Sequence, residues 1–337
     1  MQNPSADPTA STCTRRDFVA RLAAGAAALP LAGAVATTAA AADKKPPAAA
    51  KPAAPATIHV FSKPLHMFPA AEAAKVVAEC GYGGIDYTVR TGQPHVLPAK
   101  AAEELPRAID AARAAGLKVE MITTEITSAR AEHTEKLLRT AAQHGVKVYR
   151  FGNWNYDAKL GVTGSLEKIQ PALKELAALN QSLGIHGAIQ NHAGARVGGP
   201  IWDLHHLLKD LDPRWVGVQY DIRHAIVEGA QSWPLALKLL APWIRCTDIK
   251  DFKWQQSPGK ATIENVPLGE GVVPFDAYFK LVKELGIAGP ISVHLEYPPF
   301  ERYPATLSAS DRMTQMKALM KKDLAFLKTQ RAKAGLA

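Results

Sequence analysis

The chain has 337 residues, 47% of them apolar, enough for a large core, and a formal net charge of +9. Six Lys/Arg against three Asp in residues 1–56 account for +3 of that charge. The remainder forms no run of basic residues and no Arg/aromatic stripe, which argues against a nucleic-acid partner, and no stretch after the N-terminal segment reaches the ~18 consecutive apolar residues of a membrane span.

In chain order, residues 1–42 read as a twin-arginine export signal. Thr14-Arg15-Arg16-Asp17-Phe18-Val19 is followed by an alanine-rich apolar stretch, and Ala40-Ala41-Ala42 offers a small-residue cleavage site. The expected location is therefore periplasmic or secreted. Residues 43–56, DKKPPAAAKPAAPA, form a Pro/Ala linker without a core of its own. Cys13 leaves with the signal, and Cys80 and Cys246, each alone within an apolar pattern, read as small buried hydrophobes.

Residues 57–337 read as one domain. Short Val/Ile-rich runs at 58–62, 84–89, 118–124, 147–151, 187–192, 216–221, 244–250 and 291–296 have the continuous apolar character of strands covered on both faces. Apolar residues at helical spacing fall at 70–80, 98–115, 129–144, 165–183, 201–209, 232–240, 275–285 and 310–332. Gly81, Gly116, Gly145, Gly184 and Gly286 stand where helix-ending glycines belong. Eight βα units predict an α/β fold, a (β/α)8 TIM barrel, with its site at the strand C-termini. The longest connections, 90–97 and 252–274, belong to that face.

Side chains alternate along a strand, so parity selects which ones enter the barrel. If Glu296 points inward, so do His294 and Ser292. The matching sets are Gln190 with Ala188 and His192, Asp221 with Gln219, and Asp248 with Cys246 and Lys250. Gln190, Asp221, Asp248 and Glu296 then converge as four oxygen-bearing groups from the last four strands. Oxygen donors without thiolates suit a hard divalent cation, Mn²⁺ or Mg²⁺; a buried polar network without metal is the alternative. Glu296 is the leading acid/base, with His192, His224 and Glu125 as further candidates near strand ends. Lys250 and Arg150 close their strands on the same face and are suited to an anionic or enolate oxygen, or to ion pairs with Asp251 or Asp86. Trp154 and Trp254 fall in catalytic-face loops where aromatic rings stack on sugars, whereas Trp202, Trp233 and Trp243 read as packing.

Together, Gln190-Asn191-His192, Asp221-Ile222-Arg223-His224, Ile249-Lys250-Asp251, Pro267-Leu268-Gly269-Glu270-Gly271 and Leu295-Glu296 resemble the xylose isomerase-like TIM barrels, specifically the sugar phosphate isomerase/epimerase group. The resemblance implies a small carbohydrate substrate, with Asp86, Glu270 and the two loop tryptophans joining Lys250 and Arg150 as substrate-binding residues. It also implies one divalent metal held by Glu, Asp, His and Glu, positions that here carry Gln190, Asp221, Asp248 and Glu296. Gln190 cannot act as a base, and Asp248 in place of histidine favours oxygen-preferring metals. The expected chemistry is metal-assisted proton abstraction α to a sugar carbonyl. A 3-keto-glycoside lyase or hydratase and a non-catalytic sugar-binding barrel are the alternatives. Phosphodiester cleavage of the endonuclease branch ranks last, because the strand ends lack the histidines of a zinc cluster. The sequence leaves oligomeric state, a homo-oligomer included, open.

Overall fold

The computed structural model describes residues 56–302 and 306–336. The export signal, and the linker up to residue 55, lie outside the described residues.

Among the described residues there are ten strands: β1 (Ile58–Phe61), β2 (Gly84–Val89), β3 (Met121–Thr124), β4 (Val148–Arg150), β5 (His186–Gln190), β6 (Val216–Asp221), β7 (Ile244–Ile249), β8 (Asp251–Ser257), β9 (Lys260–Val266) and β10 (Ile291–Val293). Eight of them close into a parallel barrel in the order β1-β10-β7-β6-β5-β4-β3-β2. Each strand therefore pairs with its neighbours in the βα sequence, as right-handed crossovers require. The expected TIM barrel is formed, and each of the eight sequence runs overlaps one of its strands, although His192, Lys250, His294 and Glu296 fall just past the strand ends. The helices are α1 (Ala70–Glu79), α2 (Ala101–Ala114), α3 (Thr134–Gln143), α4 (Gly161–Leu183), α5 (Trp202–Leu208), α6 (Ile222–Gly229), α7 (Trp233–Leu240), α8 (Phe275–Glu284) and α9 (Ala309–Lys333).

Two elements depart from the sequence expectation. Helix α6 follows β6 directly, with Asp221 as its N-cap: Oδ1 accepts from the His224 amide at 3.1 Å. Within the connection expected over 252–274, β8 and β9 pair as an antiparallel hairpin from Asp251↔Val266 to Ser257↔Lys260. The hairpin is mostly exposed, so it lacks the apolar alternation that marks a half-buried strand.

Close strand approach explains Gly217. A Cβ there would lie 2.0 Å from the Trp243 carbonyl oxygen, so only glycine admits that backbone against β6. The barrel interior changes character along its axis. Met121, Val148, Ala188 and Cys246 form a small apolar cluster at one level, while Gln190 stands in register with Gln219 on β6, and Asp221 and Ser292 both stand in register with Asp248. Cys80 and Cys246 are buried and unpaired.

Candidate active site at the barrel mouth

The inward parity of β5, β6, β7 and β10 builds a buried polar layer. Gln219 Nε2 donates to Asp248 Oδ1 at 2.7 Å. Gln190 Nε2 donates to Asp248 Oδ2 at 2.6 Å and to Asp221 Oδ2 at 3.1 Å, while its Oε1 accepts from Arg150 Nη1 at 2.9 Å. Arg150 has only donors, so the arginine fixes which way the amide points. His294 Nε2 lies 3.2 Å from Asp248 Oδ1, close enough for an ion pair though not aligned for a hydrogen bond. Its ring stacks on Phe61 with centroids 4.3 Å apart. Asp86 accepts from the hydroxyls of Ser292 at 2.8 Å and Thr123 at 3.1 Å, and burial pushes its pKa up to about 6.

Lys250 stands at the centre of the next layer. Its Nζ lies 3.0 Å from Asp221 Oδ2, 3.0 Å from Glu296 Oε2 and 2.9 Å from His224 Nε2. Burial would lower its pKa, but the carboxylates of Asp221 and Glu296 outweigh burial and hold the ammonium above its ordinary range. Burial likewise opposes ionisation of Glu296, and Lys250, then His294 and Lys63, hold that carboxyl well below the usual carboxylate range. His224 is held neutral by burial and then by Lys250, and His192, its ring tilted against that of His224 with centroids 4.0 Å apart, is lowered to about 4 for the same reasons. A neutral imidazole has one ring lone pair to offer, yet His224 faces Arg223 Nη1 at 2.9 Å as well as Lys250. Only one of those cations can donate to it.

Glu296 links this buried layer to the open mouth. Its Oε1 accepts from Lys63 Nζ at 3.2 Å, and Lys63 also reaches Glu301 at 2.9 Å. On one side lies a cleft of about 700 Å³ lined by Lys63, Arg90, Thr91, Glu125, Arg150 and Asn153 among others. On the other, a cleft of about 380 Å³ runs between Glu296 and hairpin residues Gln255, Thr262 and Asn265. Asn265 fixes this wall: its side chain accepts from Arg223 Nη2 at 2.8 Å and donates to the Glu296 carbonyl at 2.9 Å.

The candidate side chains divide accordingly. Gln190, Asp221, Asp248, Lys250, Arg150, His224 and Glu296 come together, and His192 covers His224. Asp86 is fully buried under Ser292 and Thr123, so it supports the floor and does not reach a substrate. Glu125 lines the larger cleft but turns to the neighbouring loop after β2, accepting from the Thr91 amide at 3.1 Å and hydroxyl at 2.9 Å. Glu270 is drawn away from the site. Asp251, whose side chain points out of the barrel, accepts from the amides of Gly269 at 3.0 Å and Gly271 at 2.9 Å, and Glu270 pairs with Lys322 of α9. Trp154 packs against Phe151 and the core, and Trp254 is exposed on the hairpin beside Phe252. Three residues at the mouth were missed: Lys63, Arg90 and Asn265. The first two follow the C-terminal ends of β1 and β2, where the strand-end rule places functional side chains; Asn265 lies within β9, where no strand-end signal marks it.

The four side chains expected to share a cation come together, but their oxygens are engaged by protein donors. Arg150 turns the Gln190 oxygen away and aims its N–H groups at both aspartates, and Lys250 Nζ lies between Asp221 and Glu296, where a shared cation would sit. Asp221, Asp248 and His294 offer ligand atoms within 4.8 Å of one another. Those aspartate oxygens already accept from Gln190, Gln219 and Lys250, so this arrangement does not fit a divalent ion without displacing them.

A closed parallel barrel with buried ionisable groups at its mouth defines a TIM-barrel protein, and comparison places it further. The chain belongs to the xylose isomerase-like TIM barrel family, which matches residues 74–330. No curated protein matches it. Among solved structures it is similar to the xylose isomerase domain protein of Planctomyces limnophilus, at 18% identity and TM-score 0.62, over 84% of this chain and 100% of that one. The E. coli 3-keto-D-glucoside 4-epimerase, in its apo form, aligns at 14% identity and TM-score 0.58, over 81% and 99%. A family protein from Mycobacterium smegmatis, solved with magnesium, aligns at 18% identity and TM-score 0.56, over 82% and 97%. Among the described residues no helix is long and apolar enough to cross a membrane.

Proposed function

We propose that this chain is an exported enzyme acting on a small carbohydrate, removing the proton α to a sugar carbonyl to isomerise or epimerise it. The observation that carries the reading is Glu296, a mostly buried carboxylate held ionised by Lys250, whose Oε1 meets Lys63 at the mouth. In this reading Glu296 takes the α-proton, the C–H electron pair forms the C=C bond of an enediolate, and the carbonyl oxygen takes the negative charge. Lys63, beside Glu296 on the open side, donates to that oxygen. Reprotonation at the former carbonyl carbon, with the α-hydroxyl proton passing to the enediolate oxygen as the new carbonyl forms, isomerises the sugar, and reprotonation at the same carbon from the other face restores the carbonyl and epimerises it. Family members that bind divalent metals would polarise the carbonyl with the ion. Here the cationic charge beside Glu296 comes from Lys250 and Lys63, so no step is assigned to a metal.

Gln190 favours a second outcome on the same site. It stands where the resemblance implies a second glutamate and cannot return a proton to the opposite face. With a 3-keto-glycoside, the electron pair released next to the ketone would instead expel the neighbouring glycosidic oxygen, which leaves with a proton. Similarity to a 3-keto-D-glucoside epimerase supports a keto-sugar substrate for either outcome.

The test is solvent-deuterium incorporation into a panel of keto sugars and 3-keto-glycosides, followed by NMR. Exchange by wild type, reduced ~10²–10⁴-fold in Glu296→Gln, is the expected result. Sugar binding with no exchange and no elimination across the panel would leave a non-catalytic binding barrel in its place.

A further inference from the structure

The larger cleft carries more positive charge than its own carboxylates use. Arg90 and Arg150 both place their guanidinium groups against Phe61, at 5.7 Å and 5.5 Å from the ring centroid, and both line the cleft beside Lys63. Lys63 is paired with Glu296 and Glu301. Arg150 spends one nitrogen on Gln190. The Arg90 guanidinium makes no hydrogen bond or ion pair with a described residue, and its Nε is buried without a partner. Glu125, the carboxylate of this cleft, is committed to Thr91; Asp86 is committed to Thr123 and Ser292 beneath it.

Two like charges held over one aromatic ring repel each other, and the ring returns only part of that cost. A planar anion between them would accept from both and remove the repulsion. We infer that this cleft is an anion subsite, read by Arg90 and Arg150, and that the substrate is a carboxylate-bearing sugar of the hexuronate type. The inference rests on the carbohydrate reading above and narrows its substrate class. The two terminal nitrogens of Arg90, which bond no described residue, suit the end-on, two-oxygen geometry of a carboxylate. Thr91, Gln93 and Asn153, in the same cleft, supply neutral groups for sugar hydroxyls.

The experiment is equilibrium binding by calorimetry of D-glucuronate and D-galacturonate against D-glucose and D-galactose, with D-glucose 6-phosphate as a third arm. Wild type should bind a uronate at least tenfold more tightly than its neutral parent, with the preference shrinking as salt rises. Arg90→Gln should lose most of that preference, its uronate affinity falling at least tenfold further than its affinity for the neutral parent, and Arg90→Lys should keep part of it. Circular dichroism melts establish that both variants fold, and the wild-type comparison stands without them. Equal binding of acidic and neutral sugars overturns the anion subsite and leaves the carbohydrate reading standing. Tighter binding of the phosphorylated sugar than of either uronate overturns the carboxylate assignment. Failure to bind any sugar overturns both readings, whereas uronate binding without proton exchange overturns only the catalytic one.

Discussion

Replacing Lys250 by methionine would leave Asp221 and Glu296 without the ammonium that lies 3.0 Å from each. Breaking a buried ion pair by removing one partner costs about 3–5 kcal/mol, because the remaining charge stays desolvated. Lys250→Met should lose stability on that scale in urea denaturation. If Lys250 is the resident cation, wild type purified without chelator should carry no stoichiometric Mn²⁺ or Mg²⁺. The Lys250→Met/Gln190→Glu double variant, by contrast, should bind Mn²⁺ and recover thermal stability with it. One tightly held ion per wild-type chain would show that Lys250 and Gln190 give way to metal. The sequence carried each residue involved and the parity that turned it inward. It did not carry the orientation of the Gln190 amide, which depends on Arg150 forty positions away, nor the position of a long lysine side chain among three partners from other parts of the chain.

At the scale of elements, the β8–β9 hairpin forms one wall of the mouth. Asn265 ties it to Arg223 at the start of α6 and to the backbone at Glu296. Asn265→Ala removes both bonds and leaves the Glu296 carbonyl without that donor, at an expected cost of about 1–3 kcal/mol. Because Glu296 is the proposed base, kcat should fall more than neutral-sugar affinity. An Asn265→Ala variant with full turnover would show that the hairpin is only a cover. The hairpin was readable as a long connection on the correct face and no more. An exposed two-stranded ribbon buries little, so selection for apolar alternation is weak there. Asp251 shows a related limit: it sits beside Lys250 in sequence, yet strand alternation sends it outward to hold the 269–273 loop, and Glu270 follows that loop away from the site.

Across the whole molecule, buried ionisable groups make stability depend on pH in opposing directions. Asp323 of α9 fastens the last helix to the barrel, accepting from Tyr297 Oη at 2.6 Å and the Leu268 amide at 3.1 Å, and burial raises its pKa to about 6. A carboxyl raised in the folded state contributes stability that is complete below the ordinary carboxylate range and lost as pH rises through about 6. Roughly two units correspond to about 3 kcal/mol at most. His59, His95 and His186, lowered to about 4 by burial, act the other way and lose stability as pH falls from their ordinary range towards 4. The wild-type curve mixes both, so the informative quantity is the difference from Asp323→Asn. That difference should move in favour of the variant between pH 4 and 6.5, then level off; a flat difference would show that Asp323 does not titrate there.

The barrel itself was determined by the sequence, because strand and helix periods, helix-ending glycines and the βα alternation are local patterns repeated eight times. Inward parity on β5, β6, β7 and β10 was determined in the same way. Tertiary structure alone decided the charge arrangement at the mouth: Lys250 between Asp221 and Glu296, Arg90 beside Arg150 on Phe61, and Asn265 under Glu296. Those contacts join residues up to 89 positions apart, and ion pairing and desolvation depend on distances in space that no spacing along the chain encodes.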